Sequence, residues 1–148
     1  MKRLFILLVL FLSACQPATP PTPISADLGV EFALAPGMSV ILADEGLTIT
    51  LVNVTGDARC PLDIECTESG PVSLTISVEK ASGDYEEIAL QTFTDNDGRA
   101  PEGPFQGIRD RVELDGYVIR VKGVLPYPTE FEKTIKQGEY RVSFIVTK

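Results

Sequence analysis

The sequence predicts an all-β domain, an antiparallel β-sandwich of the immunoglobulin-like or a similar kind, with a small β-barrel as the alternative. From Leu28 onward, apolar residues alternate with polar ones at a period of two, the period of a strand with one buried face. Helical periodicity is nearly absent, and turn residues recur about every 8 to 12 residues, as in sandwiches and barrels.

The predicted strands of the first half follow from this alternation. Leu28, Val30, Phe32 and Leu34 alternate with smaller or polar residues, which predicts a strand over 28–34. Between turns at 35–37, 44–46 and 82–84 and a cysteine-bearing loop, further strands are predicted over 39–42, 47–54, 72–78 and 85–92. The 72–78 segment has the clearest pattern of one buried face.

The second half predicts three more strands, over 108–114, 117–121 and 140–146. Pro126-Tyr127-Pro128 ends the middle one, because proline cannot donate to a strand ladder. The polar segment 94–107 is unusually long for a loop in a small domain, and such loops often carry function. By analogy with other sandwiches, we expect the C-terminal strand in the interior of its sheet.

Residues 1–14 predict a secretory signal peptide. Lys2 and Arg3 precede an apolar run over 4–12, and the small residues Ser13 and Ala14 follow it. The run is shorter than the roughly 20 residues of a transmembrane helix. We therefore expect export followed by cleavage.

Leu12-Ser13-Ala14-Cys15 resembles a bacterial lipobox, which implies that Cys15 becomes the lipid-modified first residue of the mature protein. An ordinary signal peptide with an incidental cysteine is the alternative. The proline-rich segment 15–27 then predicts a lipid-anchored tether, which in extended geometry would lift the domain about 35 Å from the membrane. One folded domain is predicted over 28–148.

The charge of the chain disfavours polyanionic partners. The formal net charge is −8, and removal of Lys2 and Arg3 with the leader makes it −10. Such a field repels nucleic acid and gives an anionic lipid surface no attraction except through the anchor. Cations or basic partners would be favoured, although the acidity also serves solubility.

Two cysteines remain when Cys15 carries lipid. In an exported domain, Cys60 and Cys66 predict a structural disulfide that closes a short loop, worth about 2 to 2.5 kcal/mol on the chain-entropy model. Thiol-redox sites favour a Cys-x-x-Cys spacing at a helix start. Zinc sites need four ligands, and the chain has no histidine. Both alternatives therefore fit less well.

The segment from Asp57 through Arg59, Cys60 and Pro61 to Cys66 and Gly70 resembles a pattern in uncharacterised bacterial lipoproteins and secreted proteins. These proteins share an Asp-x-Arg-Cys-Pro segment followed by a second cysteine and a glycine, and usually a Pro-Tyr-Pro stretch and a closing strand. Glu68 stands where they usually carry tryptophan. The resemblance implies a secreted β-domain with a disulfide-closed loop and supplies no substrate.

Four residues around this loop are candidates for ordering it or for binding a partner. Asp57 and Arg59 can exchange charge-assisted hydrogen bonds that hold the loop. Leu62 and Ile64 lie inside the closed loop, where a rigid backbone would present them to a partner at a lower entropic cost of binding.

A cation site is a further hypothesis. Asp95-Asn96-Asp97-Gly98 offers the oxygen ligands that calcium prefers, with Asp95 and Asp97 as the candidate ligands. The match to an EF-hand loop is poor, because Arg99 and Ala100 stand where an oxygen ligand and a glycine are needed. A solvated turn is the simpler interpretation.

Composition argues against an enzyme, since the usual general base, histidine, is missing and no spacing singles out a catalytic carboxylate pair. We expect no cofactor. We predict an exported, lipid-anchored protein on the outer surface of the cell membrane or, as the non-acidic Gln16 would suit, in an outer membrane. Its β-domain would bind an envelope protein or glycan, or serve a larger complex, without catalysis. A small-ligand or calcium-binding module is the alternative.

Overall fold

The computed structural model describes residues 21–148, so the predicted signal peptide and Cys15 lie outside the described residues. These residues contain nine strands in two sheets: β1 (Ile24–Ser25), β2 (Phe32–Leu34), β3 (Ser39–Leu42), β4 (Leu47–Asp57), β5 (Val72–Lys80), β6 (Tyr85–Thr92), β7 (Arg111–Leu114), β8 (Tyr117–Leu125) and β9 (Arg141–Thr147). Two short 3-10 turns, Ala43–Glu45 and Gln137–Glu139, accompany them. No helix within residues 21–148 is long and apolar enough to cross a membrane.

The architecture is a β-sandwich, as predicted. One sheet has the strand order β1-β3-β4-β5-β6 and the other the order β2-β9-β8-β7, and the two are not closed into a barrel. Neighbouring strands are antiparallel except β1, which runs parallel to β3. The C-terminal strand β9 lies between β2 and β8, which confirms the expected interior position.

The first predicted strand is shorter than expected. Only Phe32–Leu34 of the segment 28–34 forms a strand, and Val30 is half exposed. Gly29 adopts a φ of +76°, and its N–H donates to Val146 O, while the Val30 N–H donates to Asp27 O. The chain therefore turns here between β1 and β2, and the alternation of apolar residues continues through this turn without marking a strand.

The ordered domain begins before the predicted boundary at Leu28. Ile24 and Ser25, assigned to the tether, pair with Val40 and Ile41 of β3 as strand β1. The half-buried Ile24 side chain packs against the core. Pro23 is the last proline of the tether, so the backbone N–H groups of the next residues are free to donate to a sheet edge.

Other strands also begin or end at residues that differ from the predicted bounds. The strand predicted over 108–114 begins only at Arg111, whereas β8 continues past residue 121 to Leu125. A register irregularity between Val121 and Gly123 lets β8 continue beside β9 after the clear alternation ends. Strand β4 likewise extends to Asp57 and carries the chain to the cysteine loop.

The core lies between the two sheets. Alternate residues of β3, β4, β5 and β6 meet those of β2, β8 and β9, and among these Val40, Ile49, Ile76 and Phe144 are fully buried. The rings of Phe32 and Phe144 stack with centroids 6.1 Å apart. This layer fixes the spacing of the sheets and hence the positions of the loops at each end of the sandwich.

Replacing Phe144 by alanine should lower the free energy of unfolding by about 3 to 5 kcal/mol, because it leaves a cavity at the centre of the core. Phe131→Ala is the matched control, since Phe131 is 68% exposed and its loss should cost no more than about 0.5 kcal/mol. Urea denaturation of the three proteins measures both. An equal decrease in the free energy of unfolding in both variants would contradict the central position of Phe144 in the core.

Candidate functional site

The cysteine loop follows β4 at one end of the sandwich, and its disulfide is formed. Cys60 and Cys66 are bonded with their Cα atoms 5.9 Å apart, which confirms the predicted pairing. Gly70 lies against the start of the loop, where its N–H donates to Ala58 O over 2.8 Å. A Cβ atom at Gly70 would come within 2.7 Å of the Ala58 side chain, so only glycine fits there without a shift.

Arg59 is the centre of the hydrogen bonds at this end. It is 4% exposed, and Nε and Nη2 donate to the two carboxylate oxygens of Asp57 over 2.8 and 2.6 Å. Nη1 donates to Val124 O over 2.8 Å and Nη2 to Pro126 O over 2.9 Å. The predicted pair of Asp57 and Arg59 is therefore one part of a larger network that ties β4 to the end of β8.

Two tyrosines complete the network. The guanidinium of Arg59 lies 5.0 Å from the centre of the Tyr127 ring, and the Tyr127 hydroxyl donates to Cys60 O over 2.8 Å. The Tyr140 hydroxyl donates to Asp57 Oδ2 over 3.1 Å. Sequence reasoning missed both roles. The Pro-Tyr-Pro stretch around Tyr127 was the available signal, whereas Tyr140 looked like an ordinary strand residue.

The network fixes the charge states of its members. Burial acts to raise the pKa of Asp57, but the hydrogen bonds and charge of Arg59 together with the Tyr140 hydroxyl hold it below its ordinary value. Burial, followed by the Asp57 charge and hydrogen bond, raises the pKa of Tyr140 to about 12. At neutral pH the site therefore holds an ion pair and a neutral phenol.

The guanidinium has no N–H left for a ligand. Its five N–H groups face the two Asp57 oxygens, the Val124 and Pro126 carbonyls and, at a longer 3.5 Å, the Thr94 hydroxyl. Asp57 and Arg59 therefore act as an internal clamp. Any contact with another molecule is therefore made by the residues that this clamp holds in place.

Those residues form a small apolar surface, which we call the apolar tip and define as Leu62, Ile64 and Phe131. Their exposed fractions are 55%, 39% and 68%. The loop and the 126–131 segment are joined directly, because the Leu62 N–H donates to Pro128 O and the Phe131 N–H donates to Asp63 Oδ1. The predicted candidates Leu62 and Ile64 thus share one surface with Phe131, which sequence reasoning did not select.

A groove of about 400 Å³ opens beside the apolar tip. Its walls come from the end of β4, the loop and the segment before β9, and include Thr55, Pro61, Phe131, Ile135 and Tyr140. The Gln137 side chain fixes the far wall, because it accepts from Val54 N over 3.0 Å and donates to Val54 O over 2.6 Å. Hydrogen bonds within the protein therefore hold the groove in shape on both sides.

The predicted calcium ligands lie elsewhere. Asp95 Oδ1 accepts the N–H groups of Asp97 and Arg99 over 3.0 and 2.8 Å, which makes it part of a turn. Within residues 21–148, no group of three or more histidine, cysteine, aspartate or glutamate side chains is placed to hold a metal ion. The calcium site stays a prediction, and nothing in this geometry adds to it.

The 94–107 loop is held against β8 by ion pairs. Glu102 accepts from Arg120 over 2.5 Å and from Lys122 over 2.9 Å, and the hydrogen bonds from these two side chains lower the pKa of Glu102 to about 2. Arg120 also contacts the buried Asp110. The loop is thus attached to the outer side of the sheet.

Comparison with protein-family models, with curated proteins and with solved structures gives no match for this chain.

Replacing Arg59 by methionine should lower the free energy of unfolding by about 3 to 5 kcal/mol, because Asp57 and two carbonyls lose their donors inside the protein. Arg99→Met is the control: Arg99 is largely exposed and makes one surface ion pair with Glu31, so its loss should cost at most about 1 kcal/mol. Chemical denaturation of both variants gives the values. An Arg59→Met variant with the same free energy of unfolding as wild type would show that the clamp does not stabilise the fold.

The clamp should also give stability a pH dependence in acid. Ionised Asp57 stabilises the folded state fully above its unfolded-state pKa, close to 3.8, and this contribution is lost as the pH falls through the lowered folded-state value. The difference in unfolding free energy between wild type and Asp57→Asn should therefore shrink in acid. Denaturation of both proteins across this range measures it, and a constant difference would contradict the ion pair.

Proposed function

We propose that the protein is a lipid-anchored, non-catalytic contact domain of the bacterial cell envelope. It is exported, held to the outer surface of the cell membrane or to an outer membrane through Cys15, and it contacts its partner through the apolar tip. The observation that carries the proposal is the combination of a clamped, disulfide-closed loop with three exposed apolar side chains.

Support for the anchor comes from the sequence. The predicted signal peptide ends at the lipobox-like Leu12-Ser13-Ala14-Cys15, and a proline-rich segment separates it from the sandwich. The Cys60–Cys66 disulfide suits an exported protein, because disulfides persist in oxidising compartments. Acyl chains on Cys15 would hold the domain firmly, since each buried methylene adds about 0.8 kcal/mol.

Support for a contact role comes from rigidity. Side chains that are already ordered lose little entropy on binding, which makes a small surface effective. Leu62 lies in a loop closed by the disulfide and hydrogen-bonded to residues 126–131, while Arg59 and Tyr127 secure its base. Large apolar side chains held outward in this way are typical of interaction sites.

Support for a non-catalytic role comes from the same clamp. A general base must be free to take a proton near neutral pH. The Asp57 carboxylate instead accepts hydrogen bonds from Arg59 and Tyr140, and its pKa is lowered. The buried charges beside the groove therefore serve to hold the loop.

The anchor has a direct test in the mass of the mature protein. After expression of the full precursor in bacteria, the N-terminal peptide should begin at Cys15 and carry acyl chains, because the lipobox marks that residue for modification. Cys15→Ser is the matched control and should lack the acyl mass. A wild-type peptide with an unmodified Cys15 would refute the anchor.

The contact surface has a separate test in living cells. A photoreactive amino acid at Leu62 or Ile64 should give more adducts, of whatever chemistry, than one at Tyr85, which is 60% exposed at the opposite end of the sandwich. Mass spectrometry identifies the adducts. The Cys60→Ser, Cys66→Ser double variant should reduce them, because it frees the loop. Equal yields at residues 62, 64 and 85 would argue against the apolar tip.

A further inference from the structure

We propose that the apolar tip contacts the lipid headgroup region of the membrane to which the chain is anchored. This inference rests on the proposed anchor at Cys15 and names the occupant of the proposed contact surface. Three features of the molecule carry it: the direction of β1, the length of chain before it, and the different chemistry of the two ends of the sandwich.

We call the end of the sandwich that carries the Cys60–Cys66 loop the stapled end. The first residue of β1 faces this end. Strand β1 runs parallel to β3 and therefore opposite to β4. Strand β4 runs from Leu47 to Asp57 and delivers the chain to the loop. Residues 21–23 thus approach β1 from the stapled end.

The available length brings the lipid close to that end. Ile24 is level with Ile49 through their shared neighbour Val40, and Asp57 lies eight residues further along β4, at most about 26 Å away. Nine residue steps separate Cys15 from Ile24 and span at most about 31 Å. A tether that continues the line of β1 therefore ends within a few ångströms of the stapled end.

This geometry revises the stand-off of about 35 Å that the tether alone predicts. Because Ile24 and Ser25 belong to the sheet, only nine residue steps separate Cys15 from the domain, and reaching the stapled end along the line of β1 would use most of that length. A domain anchored through this length can therefore rest its stapled end on the membrane, with little clearance below the loop.

The two ends of the sandwich differ in chemistry. The stapled end presents Leu62, Ile64 and Phe131 together, without a hydroxyl or charge at their tips. At the opposite end, the β5–β6 turn is exposed throughout and consists of Ala81, Ser82, Gly83 and Asp84, and the exposed Tyr85 that follows it carries a hydroxyl that donates to Glu87. Aliphatic and aromatic side chains of the first kind partition into the membrane interface, whereas turns of the second kind stay in water.

Charge sets which lipids the tip can approach. Exposed carboxylates surround the tip, at Asp63, Glu65, Glu68, Glu130 and Glu132, with Lys133 as a nearby cation. A strongly anionic surface would repel them, so the contact should be deeper on zwitterionic lipid. The tether compensates for a weak contact, because a short linker holds the domain at an effective concentration of about millimolar.

A single tryptophan can report the contact, because the chain has none of its own. The lipidated protein, purified after expression of the full precursor, is reconstituted into phosphatidylcholine vesicles with or without bromine on the acyl chains. Phe131→Trp should show a blue-shifted emission that brominated lipid quenches. Tyr85→Trp, at the opposite end, should remain unshifted and unquenched. Leu62→Glu added to Phe131→Trp should reduce the quenching, as should phosphatidylglycerol in the vesicles.

The outcomes are distinguishable. If the Phe131→Trp protein floats with the vesicles but its emission is not quenched, or is quenched no more than that of Tyr85→Trp, the lipid contact is overturned and the anchor stands. Protein that fails to float shows that the anchor itself is wrong. In cells, adducts at residues 62 and 64 that are proteins or glycans instead of lipids would assign the apolar tip to one of those partners and also overturn this inference.

Discussion

The guanidinium of Arg59 joins segments that belong to different sheets. It pairs with Asp57 at the end of β4 in one sheet and donates to carbonyls of Val124 and Pro126 at the end of β8 in the other. Such a charged group is costly to bury unless every donor is used, and here each faces an oxygen. The clamp therefore sets how the two sheets meet at the stapled end.

The rest of the stapled end depends on this interaction. Tyr127 stacks beside the guanidinium and holds the carbonyl of Cys60, so the disulfide loop begins from a fixed point. Tyr140 reaches Asp57 from the start of β9, which brings the third strand end into the same network. The apolar tip is thus carried by a backbone that is tied at several places, although its own side chains are exposed.

The topology links this end of the molecule to its proposed anchor. Strand β1 is a two-residue edge strand that runs parallel to β3 in an otherwise antiparallel sandwich. Its effect is to set the line along which the chain enters the domain. Residues 21–23 therefore enter β1 from the end that carries the disulfide and the clamp, the end at which a lipid-anchored domain would meet its membrane.

Much of the fold followed from the sequence alone. Local alternation determined the strands Ser39–Leu42 and Tyr85–Thr92, because each buries one face and ends at turn residues. The disulfide and the pairing of Asp57 with Arg59 were also accessible, since those residues lie close together in the chain. Only the tertiary structure decided the remainder. The acceptors for Arg59 lie 65 and 67 residues away, the Phe131 N–H donates to Asp63 across 68 residues, and Ile24 becomes a strand only through β3. These contacts are made by backbone atoms or between distant segments, and neither carries a periodic signal in the sequence.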